Sequence, residues 1–310
     1  MKTLLNISMV ATLIYWDMGF HIEFFQNTIK RECNMINTIL QYTFLQHAIV
    51  AIILSSIVCG IIGVIIVEKK LILMTGGIAH TAYGGVGLGY LLQVNPMITT
   101  IIIAVAAALG IGEVQNKGGK HSDIVIAMLW SLGMALGIVF IAMAPGYPPN
   151  ISSYLFGNIL AVSTDNLIAM LILTVVILSI VVMFFNYWKI FLFDREFASL
   201  IGLNTKKFER ILFILIALSI IVLMGAFGII MLIAMLCAPA ATAALYTDNF
   251  KSRMIIASLI GCITSLIGLY LSYNLNIAAS ATIVICAVVN YLVTYIYKAK
   301  KQKKISMSSN

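Results

Sequence analysis

The positive charges of this chain are confined to every second gap between its apolar runs. Of the 19 Lys and Arg residues, 16 lie after position 35, and the gaps near Asn95, at 145–166, at 225–228 and at 273–278 contain none. In chain order the charged gaps hold Lys69, Lys70, Lys117, Lys120, Lys189, Arg195, Lys206, Lys207, Arg210, Lys251, Arg253, Lys298, Lys300, Lys301, Lys303 and Lys304. Because cytoplasmic loops of membrane proteins are enriched in Lys and Arg, the alternation predicts a chain threaded repeatedly through a membrane, with its charged gaps and C-terminus in the cytoplasm.

The apolar runs predict an all-α, polytopic integral membrane protein of about eight or nine transmembrane helices. The chain is 62% hydrophobic and 10% charged. Runs long enough to cross a bilayer lie at 46–67, 76–92, 97–113, 124–143, 167–187, 253–272 and 279–297. The longer run 211–246 is interrupted between Gly225 and Gly228, and both of its ends border charged gaps. An even number of crossings is therefore required there, and two crossings bring the total to nine.

The first 34 residues do not follow the charge pattern. Thr3–Trp16 is too short to span a bilayer, and Lys30 and Arg31 would lie on the outer side of the first span. The hypothesis is that translation starts at Met35, so that 1–34 is an extension, 35–298 one transmembrane domain and 299–310 a basic cytoplasmic tail. The alternative is an amphipathic helix at 1–34 lying on the membrane surface.

Leu71–Leu92 is unusually rich in glycine. Small residues recur there every four positions, which places them on one helix face: Gly77, Thr81, Gly85 and Gly89. Such a face lets another helix backbone approach closely. An adjacent face carries Gly76, His80 and Gly84, which predicts an imidazole beside a groove with little side-chain volume.

His80 is the candidate ligand within the membrane. An ionisable side chain inside a span is costly and usually faces a polar cavity, and imidazole is a favoured ligand of first-row transition ions. The alternative is a histidine hydrogen-bonded to a carbonyl of a neighbouring helix. A set of soft ligands, Met231, Met235 and Cys237, suits Cu(I), but at helical spacing core packing is the better interpretation.

Two further segments are singled out. Residues 193–210 read FDREFASLIGLNTKKFER, in which Phe197, Leu200 and Ile201 predict a short amphipathic helix ending at Gly202, covered by lipid or by a soluble partner. Pro239 lies within an apolar run and predicts a broken or bent helix.

Several functions are excluded. The cations lie at membrane edges without interleaved aromatic residues, which argues against nucleic-acid binding, and the five Cys form no CxxC pair. The chain lacks a GxxxxGK[ST] phosphate loop, a nucleophile elbow and HExxH. We therefore expect no enzyme activity and no stably bound cofactor, and any energy for transport must come from a partner or from an ion gradient.

Four blocks in order resemble the permease subunits of bacterial and archaeal ABC importers for zinc, manganese or iron: GGIAHTAYGGVGLGYLL, SLGMALGIVF followed by SYLFGNILAVS, FDREFASLIGL, and MLIAMLCAPAATAAL. The resemblance runs from about Met35 to Tyr297. It implies a multi-pass permease of the prokaryotic cell membrane, in a homodimer on cytoplasmic ATPase subunits that use ATP. An extracellular metal-binding protein would dock on outer loops that include Pro145–Asn158.

The resemblance also implies residue roles. The coupling helix that is seated in the ATPase would include Asp194, Glu196, Phe197, Leu200 and Gly202. Divalent metal would pass along the dimer axis beside the glycine-rich helix, where His80 would contact it, with Asp123 at the inner mouth as a second candidate.

This chain also departs from the family pattern. Many family members have Asp where this chain has Gly76, and Pro is frequent where it has Gly84. A two-ligand site within one helix is therefore unavailable.

Two other function classes remain open at this point. A self-contained secondary transporter or channel would need ion-coupling groups in the membrane. His80 alone is a small number of such groups, which argues against this class. An ABC permease for a metal chelate such as a siderophore or cobalamin would need a wider pathway.

Overall fold

The structure, a computed structural model, describes residues 42–116, 122–146, 151–193 and 195–308. The chain divides into two compact units, 1–46 and 47–310. Of the first unit the structure describes only residues 42–46, where the first helix begins, and the predicted N-terminal extension 1–34 lies outside the described residues. The helices are α1 Thr43–Glu68, α2 Ile72–Leu91, α3 Pro96–Asn116, α4 Ser122–Met143, α5 Ile151–Phe156, α6 Thr164–Met183, α7 Phe185–Phe193, α8 Arg195–Leu200, α9 Thr205–Tyr246, α10 Phe250–Leu275 and α11 Ala279–Ser308.

The described residues form helices and no strands, which confirms the all-α prediction. In a bilayer a helix satisfies its backbone hydrogen bonds internally, so long apolar runs fold this way. Among the described residues, seven helices are long and apolar enough to cross a membrane, namely α1, α3, α4, α6, α9, α10 and α11. The eighth long helix, α2, is less apolar because of its glycines, yet 14 of its 20 residues are buried. Neighbouring helices, rather than its own side chains, therefore shield the backbone of α2 from lipid.

The helices run between two chemically different ends. One is the basic end, where Lys69, Gln115, Glu209 and Phe213 line a common cavity. The other is the cation-free end, where Tyr90, Asn95, Tyr154, Asn158 and Asn166 line another cavity. Because α2 and α3 reach from one of these cavities to the other, the charge alternation of the sequence corresponds to two separate ends of the helices.

Helix α9 folds back on itself and crosses twice. Its first half begins beside α3 at the basic end, where Phe213 contacts Gly112, and reaches the cation-free cavity at Gly225. Its second half returns to the basic end: the Lys298 ammonium donates to the carbonyl oxygen of Leu245, and Arg253 just beyond bonds Glu68 at 2.6 Å. With α2 and both halves of α9, nine helical segments of the described chain run between the two ends, as the spacing of cations predicts.

The reversal in α9 occurs at Gly228. Its dihedral angles, φ 71° and ψ 167°, are the only non-helical ones inside α9, and they lie in a region open essentially to glycine alone. The backbone of Gly157, also at positive φ (69°), packs directly on it. A Cβ atom on Gly228 would lie 2.5 Å from the carbonyl carbon of Phe156. This glycine junction fixes the segment after α5 against the turn of α9.

Candidate functional site

The predicted small-residue face of α2 packs against α3. A methyl group on Gly85 would lie 2.7 Å from the Cα atom of Thr100, and one on Gly89 would lie 2.6 Å from that of Pro96. Gly77 packs between Ile111 and Ile126. The fourth member of the face, Thr81, turns toward α4, and its hydroxyl donates to the Leu129 carbonyl at 3.3 Å. The small residues therefore bring the backbones of α2 and α3 into contact, as glycine stripes do in membranes.

The adjacent face of α2 packs against α4. Gly84 lies against the carbonyl oxygen of Gly133, and a methyl group on Gly76 would lie 2.8 Å from the Trp130 ring. The predicted small face beside the imidazole is therefore present, and it is not open, because Trp130 and the α4 backbone fill it. A further contact between glycines, Gly87 with Gly137, was not singled out from the sequence, because its partner is a small residue on another helix.

Substitution of Gly85 by Ala tests this packing. We expect Gly85→Ala to lower the free energy of unfolding by about 1–3 kcal/mol, because the added methyl overpacks the contact between helix backbones. The matched control is Gly110→Ala, since a Cβ atom on Gly110, also in a membrane helix, has no neighbour within 4 Å. The thermal unfolding midpoints of the purified variants give the comparison. Equal midpoints would show that the Gly85 contact tolerates a methyl group.

His80 is buried at the crossing of α2 and α4, with 8% of its surface exposed. Its ring stacks on Trp130, with 4.4 Å between ring centroids and 20° between planes. The Nδ1 atom is buried and has no hydrogen-bond partner in the described part of the chain. The alternative of a histidine tied through Nδ1 to a helix carbonyl is therefore not observed. Because an unsatisfied buried polar group costs about 1–3 kcal/mol, this atom is a candidate ligand.

Asp123, the second candidate, is not brought to His80. It is exposed in the first turn of α4 at the basic end. Trp130, the neighbour of His80, follows seven residues later, which is about 10 Å along the helix axis. Within the described ranges no group of three or more His, Cys, Asp or Glu side chains is placed to hold a metal ion. A tight metal centre is therefore not formed by the described residues of one chain.

A cavity of about 510 Å³ opens at the cation-free end between α2, α3, α5, α6 and α9. Its polar lining consists of hydroxyl and amide groups from Tyr90, Asn95, Thr100, Tyr154, Asn158 and Asn166. The hydroxyls of Tyr90 and Tyr154 share a hydrogen bond of 3.0 Å. Burial raises the pKa of Tyr154, which lies outside the long helices, so its phenol stays neutral. The sequence did not single out this cavity, because its residues come from five separate elements.

The predicted amphipathic helix is α8, at the basic end. Leu200 is 83% exposed and Phe197 is 48% exposed, whereas Ala198 is buried. The helix ends where Gly202 takes a φ of 78°, and the amide of Leu203 donates to the Ala198 carbonyl at 3.0 Å. This arrangement is a glycine-terminated helix end. Glu196 is also exposed, and Asp194 lies outside the described residues.

The second half of α9 carries the remaining candidates. Met231 and Met235 are buried in the core, and the Ser265 hydroxyl contacts the Met235 sulfur at 3.4 Å; core packing accounts for both. The helix continues without a break through Pro239, and its non-helical residue, Gly228, lies eleven residues earlier. A broken helix at Pro239 is therefore wrong, and a bend there stays a prediction.

Comparisons with known proteins cover nearly all of the described chain. Residues 41–298 match the family model described as "ABC 3 transport family". The chain is 37% identical over 273 residues to the uncharacterized membrane protein slr2045 of Synechocystis, covering 87% of this chain and 97% of that protein. It is 34% identical over 263 residues to the manganese transport system membrane protein MntC of Listeria monocytogenes, covering 85% and 94%.

A solved structure also matches the fold. PsaBC from Streptococcus pneumoniae in complex with a Fab aligns with a TM-score of 0.77 and 31% sequence identity, covering 85% of this chain and 95% of that chain. Most of this chain therefore shares the fold of that solved structure.

Proposed function

From the premise that the chain belongs to the ABC 3 transport family and is the permease subunit of a metal-ion importer in the cell membrane, we propose that its cargo is Mn²⁺. The observation that carries this proposal is the similarity over nearly the full length to a manganese transport permease, 34% identical across 94% of that protein. The cavity at the cation-free end supports it. Neutral oxygen ligands suit Mn²⁺ and similar hard cations, and none of the described residues that line the cavity is Lys or Arg.

The basic end faces the cytoplasm in this proposal, as does the C-terminus. The support is the excess of Lys and Arg at that end. Helix α8 is then the docking helix for a separate ABC ATPase, which supplies the energy, because its exposed Leu200 and Phe197 need a cover of apolar protein. An extracellular metal-binding protein delivers cargo at the cation-free end, and two copies of the permease form a homodimer.

His80 is the proposed contact for the metal inside the membrane. One imidazole per chain gives a weak and transient interaction, which suits a pathway that must release its cargo. Two His80 side chains meeting across the axis of the homodimer would supply two nitrogen ligands. Asp123, exposed at the basic end, is the proposed acidic group at the cytoplasmic mouth.

Metal accumulation by whole cells tests the cargo. Cells with and without the gene are grown in trace Mn²⁺, Zn²⁺ or Fe²⁺, and cell-associated metal is measured by mass spectrometry. We expect deletion to lower accumulation of manganese and to leave zinc and iron unchanged. A loss of zinc or iron uptake with manganese intact would contradict the proposed cargo.

Substitution of His80 tests the site. We expect His80→Ala and His80→Phe each to lower the initial rate of Mn²⁺ uptake by about tenfold or more, the scale on which lost ligand-sphere groups act. His80→Phe is the informative variant, because it keeps an aromatic ring on Trp130 and removes both ring nitrogens. Uptake at the wild-type rate by His80→Phe, with equal amounts of permease in the membrane, would restrict His80 to a packing role.

A further inference from the structure

Helix α7 packs aromatic side chains against α9 and α10 at the basic end. Trp188 and Phe191 are almost completely buried, and the Trp188 ring lies edge-on to Phe208 of α9 at 5.5 Å. Phe185 packs against Phe250 of α10 at 5.7 Å. One residue separates α7 from α8. Because only one residue links the two helices, we expect a displacement of the exposed helix α8 to move α7 as well.

Lys69 joins α7 to the beginning of α2. Its ammonium group donates to the carbonyl oxygen of Phe191 at 2.9 Å and lies 4.3 Å from the centroid of the Phe191 ring. This carbonyl is among the last four of α7, which lack donors within the helix and carry its partial negative charge. The bond is therefore charge-assisted, and it closes a connection between residues far apart in the sequence.

The connection that holds Lys69 is short and stiff. Only three residues separate α1 from α2; Lys70 has a φ of 57°, and the Leu71 amide donates to Ile66 at 2.9 Å. At the end of α1, Glu68 is held by Arg253 at 2.6 Å. Displacement of Lys69 therefore displaces the beginning of α2, the helix that carries His80.

The surroundings of Lys69 are polar but confined. Lys69 lines a cavity of about 180 Å³ together with Gln115 of α3 and Glu209 of α9. The buried Oε1 atom of Gln115 has no hydrogen-bond partner among the described residues. Residues of α3, α7 and α9 thus line one cavity together with Lys69, at the point where α2 begins.

We propose that Lys69 is a positioning residue that couples the ATPase-docking helix to the transport helix α2. This inference rests on the proposed function of α8. When the ATPase moves α8, α7 carries the Phe191 carbonyl with it, and the bond from Lys69 transmits the displacement to the beginning of α2. Without the bond, ATP hydrolysis continues while α2 no longer follows α8.

The test measures metal transported per ATP hydrolysed in proteoliposomes that hold the permease with its ATPase, supplied with the metal-binding protein. Mn²⁺, Zn²⁺ and Fe²⁺ are assayed separately. For Lys69→Met we expect the ratio to fall about tenfold, the scale of one charge-assisted hydrogen bond, with ATP hydrolysis within about twofold of wild type. Lys69→Arg, which keeps the charge, restores the ratio. Lys70→Met, at the exposed neighbouring residue, keeps the wild-type ratio.

A wild-type ratio in Lys69→Met would overturn the coupling role. If transport and ATP hydrolysis both stay at the wild-type rate, the bond has no role in transport. If both fall in parallel at a constant ratio, Lys69 is a purely structural residue. Wild-type transport of zinc or iron instead of manganese would refute the proposed cargo alone, and the ratio for the metal that is carried then decides the role of Lys69.

Discussion

Gly228→Ala is expected to abolish accumulation of folded permease. The side chain would force an L-residue into a backbone conformation that glycine alone adopts readily, at φ 71° and ψ 167°, and would press a Cβ atom onto the backbone at Phe156 and Gly157. Strain and overpacking each cost about 1–3 kcal/mol. Their sum is a large share of the stability of an ordinary protein, about 5–15 kcal/mol.

The control for this prediction lies three residues away. Gly225→Ala adds the same methyl group to the same hairpin, where a Cβ atom has no neighbour within 4 Å, and we expect wild-type yield. The measurement is the amount of monodisperse protein recovered from membranes by size-exclusion chromatography in detergent. Equal recovery of the two variants would contradict the tight reversal at Gly228 and the junction with Gly157.

Leu200→Glu is expected to separate the permease from its ATPase. Leu200 is the most exposed large apolar side chain of α8, at 83%, so a charge there leaves the free permease intact. In a docked complex the same charge would be buried without a partner, which costs several kcal/mol. A loss of about 3 kcal/mol lowers the affinity more than a hundredfold. We expect the ATPase to be lost on co-purification and Mn²⁺ uptake to stop.

Ile277→Glu is the matched control for Leu200→Glu. Ile277 is a half-exposed apolar residue in the loop between α10 and α11. It lies at the cation-free end, so the variant introduces the same charge at the end opposite α8. We expect this variant to retain the ATPase at the wild-type ratio. Loss of the ATPase from Ile277→Glu, with retention by Leu200→Glu, would show that the ATPase docks at the cation-free end and would contradict docking on α8.

The sequence predicts the order and number of the helices well, because membrane insertion depends on local properties. Cations at both ends of the run 211–246 require a double crossing, and the glycine pair 225 and 228 marks where the structure reverses. The end of α8 at Gly202 follows in the same way, from a residue that favours the left-handed conformation. In each case the signal and its structural consequence lie within a few residues of each other.

The contacts around the candidate site are less predictable. The spacing of Gly76, His80 and Gly84 shows which face of α2 is small, but the residue that fills that face, Trp130, is on another helix. The bond from Lys69 to Phe191 joins positions 122 residues apart. Such contacts depend on how the helices pack against one another, and the periodicity of one helix carries no information about the surface of its partner.

Under the proposed function, this chain conducts Mn²⁺ inward when a separate ATPase acts on its basic end. The most direct measurement is ⁵⁴Mn²⁺ transport by the permease and its ATPase in proteoliposomes of defined orientation, with ATP enclosed or outside. We expect accumulation only when ATP is on the side of α8 and the metal-binding protein is on the opposite side. Accumulation without ATP, or driven by an ion gradient alone, would contradict it and identify a secondary transporter.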